Sequence, residues 1–220
     1  MLLINDIVET ISGEVSNFPT GSLVTLIRFQ GCPLRCKYCD TPETISFDSE
    51  TSSYDPIILA KNFSNEALLF LITGGEPLLQ EQELITFIVN SHVKSKFIIE
   101  TSGAIYIPNL KDYGVENEVS WVVDWKLSNS GSEHWMRIEN IKHICSEDFI
   151  KFIISDEKTF KEALTFRENI ANHKGLNSPR FAFSPEHGRI EVKTLFNWMK
   201  ENNLYEDVLN IQLHKLIGLA

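Results

Sequence analysis

Short apolar runs recur along the chain at residues 23–29, 68–73, 97–100, 121–124, 149–154, 180–183 and 208–213. Each has strand length and favours Val, Ile and Phe, as strands buried on both faces of a parallel sheet do. Between several of them the period lengthens to that of a helix. After Glu157, the residues Phe160, Ala163, Leu164 and the aliphatic stem of Arg167 share one helical face. After Glu191, Val192, Leu195, Phe196 and Met199 do the same, and Leu84, Ile85, Phe87 and Ile88 predict a helix beyond Pro77. Alternation of this kind implies right-handed βαβ crossovers and an α/β fold, either an open doubly wound sheet or an incomplete barrel. In both, ligands gather at the carboxyl ends of the strands. The unusual residues stand there: Gly31-Cys32, Gly74-Gly75-Glu76-Pro77, Thr101-Ser102-Gly103, Asp124-Trp125-Lys126, Ser184-Pro185-Glu186 and His214-Lys215.

No internal repeat, low-complexity tract or linker divides the 220 residues, so one domain spanning residues 1–220 is expected. No apolar stretch is long enough to span a membrane, and the N-terminus has no signal-peptide pattern, so a cytoplasmic protein is expected. The formal charge of −10 and the absence of any basic run argue against nucleic-acid binding and suit a small-molecule enzyme.

The cysteines refine this picture. Cys32, Cys36 and Cys39 crowd into one loop, while Cys145 stands alone and reads as a buried packing residue. The distribution does not suit a disulfide framework. Three thiolates without an obvious fourth ligand leave one coordination position open, whereas closed structural zinc sites take four. A three-cysteine zinc site, a loop of structural thiols and an iron–sulfur cluster are the readings that remain.

The spacing Cys32-x3-Cys36-x2-Cys39, with Tyr38 before the third cysteine, is similar to the signature of the radical S-adenosylmethionine (SAM) superfamily. Thr73-Gly74-Gly75-Glu76-Pro77 resembles its second motif, where glycines admit a ligand close to the backbone. Further segments resemble the 7-carboxy-7-deazaguanine synthases: Val8 to Glu14, Leu26 to Cys32, Cys39-Asp40-Thr41, Ile99 to Gly103, Trp121 to Ser128 and the closing Gln212-Leu213-His214-Lys215. The chain departs from that pattern at Ser12, where Gln is usual, at Val15, where Gly is usual, and at Phe183-Ser184-Pro185, where many members have Gln-Pro.

The resemblance implies an incomplete (β/α) barrel of about six parallel strands, of the radical SAM type. It implies a lyase that contracts the ring of 6-carboxy-5,6,7,8-tetrahydropterin to 7-carboxy-7-deazaguanine with loss of ammonia, on the route to queuosine and other 7-deazapurines. The radical comes from SAM and a 4Fe–4S cluster, so no side chain is expected to be catalytic in its own right. Cys32, Cys36 and Cys39 would hold the cluster and Thr41 a Mg²⁺ ion. SAM would lie along Gly75, Glu76, Ser102, Asp124, Trp125, Lys126, Ser184 and Pro185. The pterin would meet Ile11, Ser12, Gly13, Glu14, Arg28, Thr73, His214 and the terminal Ala220, with Glu14 on its guanidine-like edge and Arg28 on its carboxylate. A flavodoxin or ferredoxin reductant and a homodimer are also implied. The rival functions are a glycyl-radical-enzyme activase and a zinc-stabilised binding module without catalysis.

Overall fold

A computed structural model describes residues 1–48, 51–171 and 178–219 of the chain. Its strands are β1 (Leu2–Ile11), β2 (Leu23–Phe29), β3 (Ser52–Tyr54), β4 (Leu69–Gly74), β5 (Lys96–Thr101), β6 (Glu118–Trp125), β7 (Phe149–Ile154), β8 (Arg180–Pro185) and β9 (Val208–Leu209). Among the described residues they form one nine-stranded sheet in the order β3-β1-β2-β4-β5-β6-β7-β8-β9. All neighbours from β2 to β9 are parallel, while β1 runs antiparallel to β2 and β3. The sheet has two open edges, at β3 and β9, and so is an incomplete barrel.

From β2 onward the spatial order is the sequence order. Successive crossovers of one hand, advancing in one direction, put their helices on one face of the sheet. The helices are α1 (Pro56–Asn62), α2 (Glu81–Asn90), α3 (Glu157–Ala171), α4 (Val192–Glu201) and α5 (Leu213–Ile217). Helix α1, unmarked in the apolar pattern, starts at Asp55, whose carboxylate accepts the N–H groups of Ile57 and Ile58 at 2.9 and 3.0 Å before Pro56 has begun the first turn. The helix-covered face holds the main core. Phe70, Ile72, Phe97, Ile99, Ile150, Phe152 and Phe183 pack there against Leu84, Phe87, Phe160, Ala163 and Leu195. Phe70 stacks on Phe97 at 5.1 Å and meets Phe87 edge-on at 5.3 Å. Each such side chain contributes roughly 1.5–3 kcal/mol through burial.

Four sequence expectations change. Strand β1 falls outside the apolar runs, because a bulge between Ile4 and Asp6 shifts its register and it stands near the sheet edge. The run 208–213 yields a strand of two residues only. Asn210 makes the last bond to β8, its N–H donating to the Phe183 carbonyl at 2.9 Å, and its side-chain oxygen accepts the Val15 N–H at 3.0 Å. In α4, Leu195 and Met199 are buried, but Val192 and Phe196 lie on the solvent side, the helix having a narrower contact stripe than its apolar content suggests. Cys145 is exposed rather than packed: it occupies the turn before β7, where its N–H binds the Asp148 carboxylate at 2.8 Å, and neighbouring Ile144 fills the core.

Candidate active site

Residues two apart on a strand share a face. On the face that the helices leave free, Leu26, Leu71, Ile98, Val122, Phe149 and Ala182 form an apolar floor. Two residues further on, toward the carboxyl ends, the same strands carry Arg28, Thr73, Glu100, Asp124, Lys151 and Ser184. Six strands thus change from apolar to polar at one level. Above that level opens a cavity of about 700 Å³.

Of the residues expected at the site, Ile11, Ser12, Gly13, Glu14, Arg28, Cys32, Cys36, Cys39, Thr41, Thr73, Gly75, Ser102, Asp124, Lys126, Pro185 and His214 line this cavity. Three others stand behind its wall. Glu76 is fully buried, and its carboxylate accepts from Thr101 Oγ1 at 2.8 Å, from the Ser102 N–H at 2.8 Å, from the Ser102 hydroxyl and from the Leu78 N–H at 3.1 Å. Its side chain therefore pins the end of β5 to the turn after β4 and does not face the ligand space. Trp125 belongs to the helix-covered core, 4.3 Å from Phe166. Ser184 is buried and its hydroxyl accepts from the Asn210 amide at 2.6 Å. Ala220 lies outside the described residues.

The cysteine loop leaves β2 at Gln30, whose side-chain amide donates to the carbonyls of Glu43 and Ser46 at 2.8 and 2.6 Å. The returning strand of the loop accepts from Gly31 and Cys32 N–H at 2.7 and 3.1 Å. The Gly74-Gly75 turn lies against this loop. Gly74 has φ of +121°, a conformation suited to glycine, and a Cβ on Gly75 would overlap the Gly31 carbonyl. The Glu76 N–H donates to that carbonyl at 2.7 Å. The two motifs therefore touch, backbone to backbone.

The thiols face the cavity half-buried. Burial pushes the Cys32 thiol up to about 11 and raises that of Cys36, so without a metal both are held protonated. Among the described residues no three His, Cys, Asp or Glu side chains are spaced to share a single metal ion. Three soft sulfur donors on one loop fit a cluster in which each cysteine takes its own iron. Two buried polar atoms of the wall, Asp124 Oδ1 and the Tyr38 hydroxyl, have no hydrogen-bond partner, as expected of a wall completed by a ligand. Thr41 heads the 3-10 turn Pro42–Thr44, but its hydroxyl makes no capping hydrogen bond.

Most charges inside the cavity are paired, with Glu100 and Arg28 the exceptions among the described residues. Lys126 meets Asp124 at 3.1 Å and lies 5.5 Å from the Tyr38 ring centre. Lys151 pairs with Glu14 and, at 3.6 Å, with Asp124. Burial acts to raise the carboxyls of Glu14 and Asp124, yet the neighbouring lysines outweigh it and hold both below the ordinary range. Burial likewise disfavours the Lys151 ammonium, but Glu14, Asp124 and Glu100 together raise it well above an ordinary lysine. Glu100 goes the other way. Burial and the charge of Glu14 lift it to about 7, and its Oε2 accepts from Thr73 Oγ1 at 2.9 Å. Arg28 is the cation left over, its guanidinium making no ion pair among the described residues.

The C-terminal segment covers the mouth. The Leu213 N–H donates to the Gly13 carbonyl at 2.9 Å, and the His214 ring lies where a Cβ on Gly13 would be. Burial lowers the His214 imidazole below its ordinary value. Lys215 reaches Asp40 of the cysteine loop at 2.5 Å.

Lys151 and Asn210 escape the sequence reading as site residues, and Gln212, Tyr38 and Glu100 are visible in it only as parts of motifs. The Gln212 amide donates to Glu14 Oε1 at 2.6 Å, and the Asn210 amide to Glu14 Oε2 at 3.3 Å. The signal for Lys151 is present: a lysine inside the apolar run Phe149-Ile150-Lys151-Phe152-Ile153-Ile154 needs a buried partner.

Comparison with known proteins agrees with this geometry. Residues 20–139 match the family described as "4Fe-4S single cluster domain", a span that holds β2 to β6 and all three loop cysteines. The 7-carboxy-7-deazaguanine synthase of Clostridium acetobutylicum is 34% identical over 219 residues, covering 94% of this chain and 92% of that protein. That of Koribacter versatilis is also 34% identical, over 226 residues, covering 97% of this chain and 96% of that protein. The chain belongs to the 7-carboxy-7-deazaguanine synthase family. A solved structure, "Crystal structure of QueE from Escherichia coli", shares the fold with a TM-score of 0.69 at 20% identity, over 97% of this chain and 94% of that one. Membership of the synthase family displaces the activase and zinc-module readings. It also gives the departures from the family pattern a structural setting. Ser12 turns its hydroxyl to the Glu14 carbonyl at 3.4 Å, and Val15 packs into the apolar floor.

Proposed function

We propose that this protein converts 6-carboxy-5,6,7,8-tetrahydropterin to 7-carboxy-7-deazaguanine as a single radical SAM domain spanning residues 1–220. The observation that carries the reading is one cavity lined both by the three loop cysteines and by Glu14 and Arg28, the latter without an ion pair among the described residues. Cys32, Cys36 and Cys39 would hold a 4Fe–4S cluster, which together with SAM would supply the 5′-deoxyadenosyl radical that begins the ring contraction. The chain's own residues bind and orient. Arg28 forms a charge-assisted fork with the pterin carboxylate, and Glu14, kept charged by Lys151, accepts the N–H donors of the guanidine-like edge. The Gly74-Gly75 turn lets SAM lie close to the backbone, while Ser102, Asp124, Lys126 and Pro185 run along its ribose and adenine. Thr41, whose hydroxyl makes no capping hydrogen bond, would offer an oxygen ligand to a Mg²⁺ ion that helps hold the substrate carboxylate. His214 and the tail to Ala220 close over the substrate and exclude water.

The family resemblance also supports a flavodoxin or ferredoxin reductant, a homodimer and a cytosolic location. Among the described residues no helix is long and apolar enough to cross a membrane. The decisive experiment incubates the anaerobically reconstituted, reduced enzyme with SAM and the carboxy-tetrahydropterin. Formation of the deazaguanine with SAM undiminished is expected. Neither product nor pterin consumption by a protein carrying iron and sulfide would overturn the reading, and a colourless protein carrying zinc would remove its basis.

A further inference from the structure

Resting on that reading, we propose that Lys151 is a positioning residue for substrate recognition, holding Glu14 against the pterin's N–H edge with Asp124 as its second anchor. Lys151 stands on β7 directly beside Asp124 of β6 and Ala182 of β8. Its side chain is 5% exposed, in a wall that six strands build. An ammonium there survives only by satisfying its donors within the protein. The partners it takes are Glu14 and, at 3.6 Å, Asp124, and both line the ligand cavity. A purely structural ion pair would have no need to use two cavity carboxylates, one from the neighbouring strand and one from the segment after β1.

The allocation of hydrogen bonds on Glu14 sharpens the assignment. Oε2 accepts from Lys151 and from the Asn210 amide, which fills both of its lone pairs. Among the described residues Oε1 accepts only from Gln212, whose side-chain amide comes from the segment that closes the cavity. Lys151 and Asn210 thus fix one oxygen and the plane of the carboxylate. The other oxygen is left to receive the amino and ring N–H groups of a pterin beside, or in place of, the Gln212 amide. The charge of Glu14 disfavours an ionised Glu100, and Lys151 offsets that repulsion. Without it Glu14 either takes up a proton, and so loses the ability to accept at both oxygens, or swings away.

The test is Lys151→Met in the cluster-loaded enzyme, with Lys151→Arg beside it. Lys151→Met is expected to raise the pterin KM about 30-fold or more, as loss of one partner of a buried pair does, while kcat and reductive SAM cleavage without pterin stay within about threefold. A pterin analogue lacking the 2-amino group separates positioning from general damage. Wild type should reject it strongly, because an N–H donor goes missing opposite a charged acceptor, and Lys151→Met should lose most of that discrimination. Lys151→Arg keeps the charge and should stay within about fivefold of the wild-type KM. The proposal is overturned if Lys151→Met keeps the wild-type KM and selectivity, or if Lys151→Arg is as impaired as Lys151→Met. Should the Met variant fail to load its cluster, the Arg variant decides alone, by the same fivefold limit. A wild-type enzyme that leaves the pterin untouched refutes the assigned reaction instead, and that result is distinct from any of these.

Discussion

Glu100 makes the stability of this protein depend on pH in a direction opposite to most carboxylates, and Glu100→Gln should remove that dependence. Burial and the nearby Glu14 charge lift the Glu100 carboxyl from 4.5 to about 7, against the opposing pull of Lys151 and the Thr73 hydroxyl. The folded state therefore keeps a proton that the unfolded chain releases near its ordinary value. The stabilisation is complete below about pH 4.5 and drains away as pH rises to about 7. At about 1.4 kcal/mol per unit, the whole span amounts to roughly 3 kcal/mol. Glutamine keeps the acceptor for Thr73 and has no proton to lose. Lys151 still has Glu14 and Asp124. Urea unfolding of both proteins, free of SAM and pterin, from about pH 5 to about pH 8 measures the difference. The variant should gain on the wild type as pH rises, by up to about 1.4 kcal/mol per unit, and the gap should level off above about pH 7. Two stability curves that stay parallel over that range would refute the reasoning, because they would mean that Glu100 is charged in the folded protein throughout.

Three further outcomes follow from local geometry. Gly13→Ala places a Cβ on the His214 ring, so the tail must lift; the pterin KM should rise about tenfold while SAM cleavage without substrate is preserved, and an unchanged KM would mean that the tail does not close the site. Arg28→Gln should raise the pterin KM about 100-fold and leave iron content and SAM affinity alone, as isothermal titration and metal analysis would register. Gln80 binds the Leu3 N–H at 2.7 Å and the carbonyls of Leu3 and Gln30, each at 2.9 Å, and so ties β1 to the start of the cysteine loop. Gln80→Ala leaves those buried groups unsatisfied and should cost about 2–4 kcal/mol in urea unfolding, whereas a loss under about 1 kcal/mol would show that water replaces the amide.

The sheet was legible because its strands are buried on both faces at their centres, which leaves continuous apolar runs that turn chemistry punctuates. Residues 23–29 and 149–154 match β2 and β7 to the residue. The placement of the motifs followed from the same fact, since the carboxyl ends of those runs are where the cysteines, the glycine pair and Asp124 stand. Side-chain direction was not legible. Nothing in Gly-Gly-Glu distinguishes a glutamate that faces a ligand from one that, like Glu76, binds Thr101 and Ser102 behind the wall. Nor does helical periodicity separate a residue under the sheet from one beside it, which is why Val192 and Phe196 are apolar and exposed. Asn210 and Gln212 reach Glu14 across almost the whole chain length, and only the closing of β9 against β8 brings them there.

The polar layer over the apolar floor has a consequence for what the cavity accepts. Its described charged groups cancel in sets: Glu14 and Asp124 against Lys151 and Lys126, Asp40 against Lys215, and Glu186 against Arg189 at 3.5 Å. Glu100, lifted to about 7, adds little charge at neutral pH. Arg28 alone is left over. A guanidinium that projects into a low-dielectric cavity without a counter-ion is costly, and the least costly remedy is a ligand that brings one negative charge to that point. Among the protein's own groups Arg28 is thus the cation left to meet a ligand anion, and that surplus is a property of residues drawn from β2, β5, β6 and β7 together rather than of any one of them.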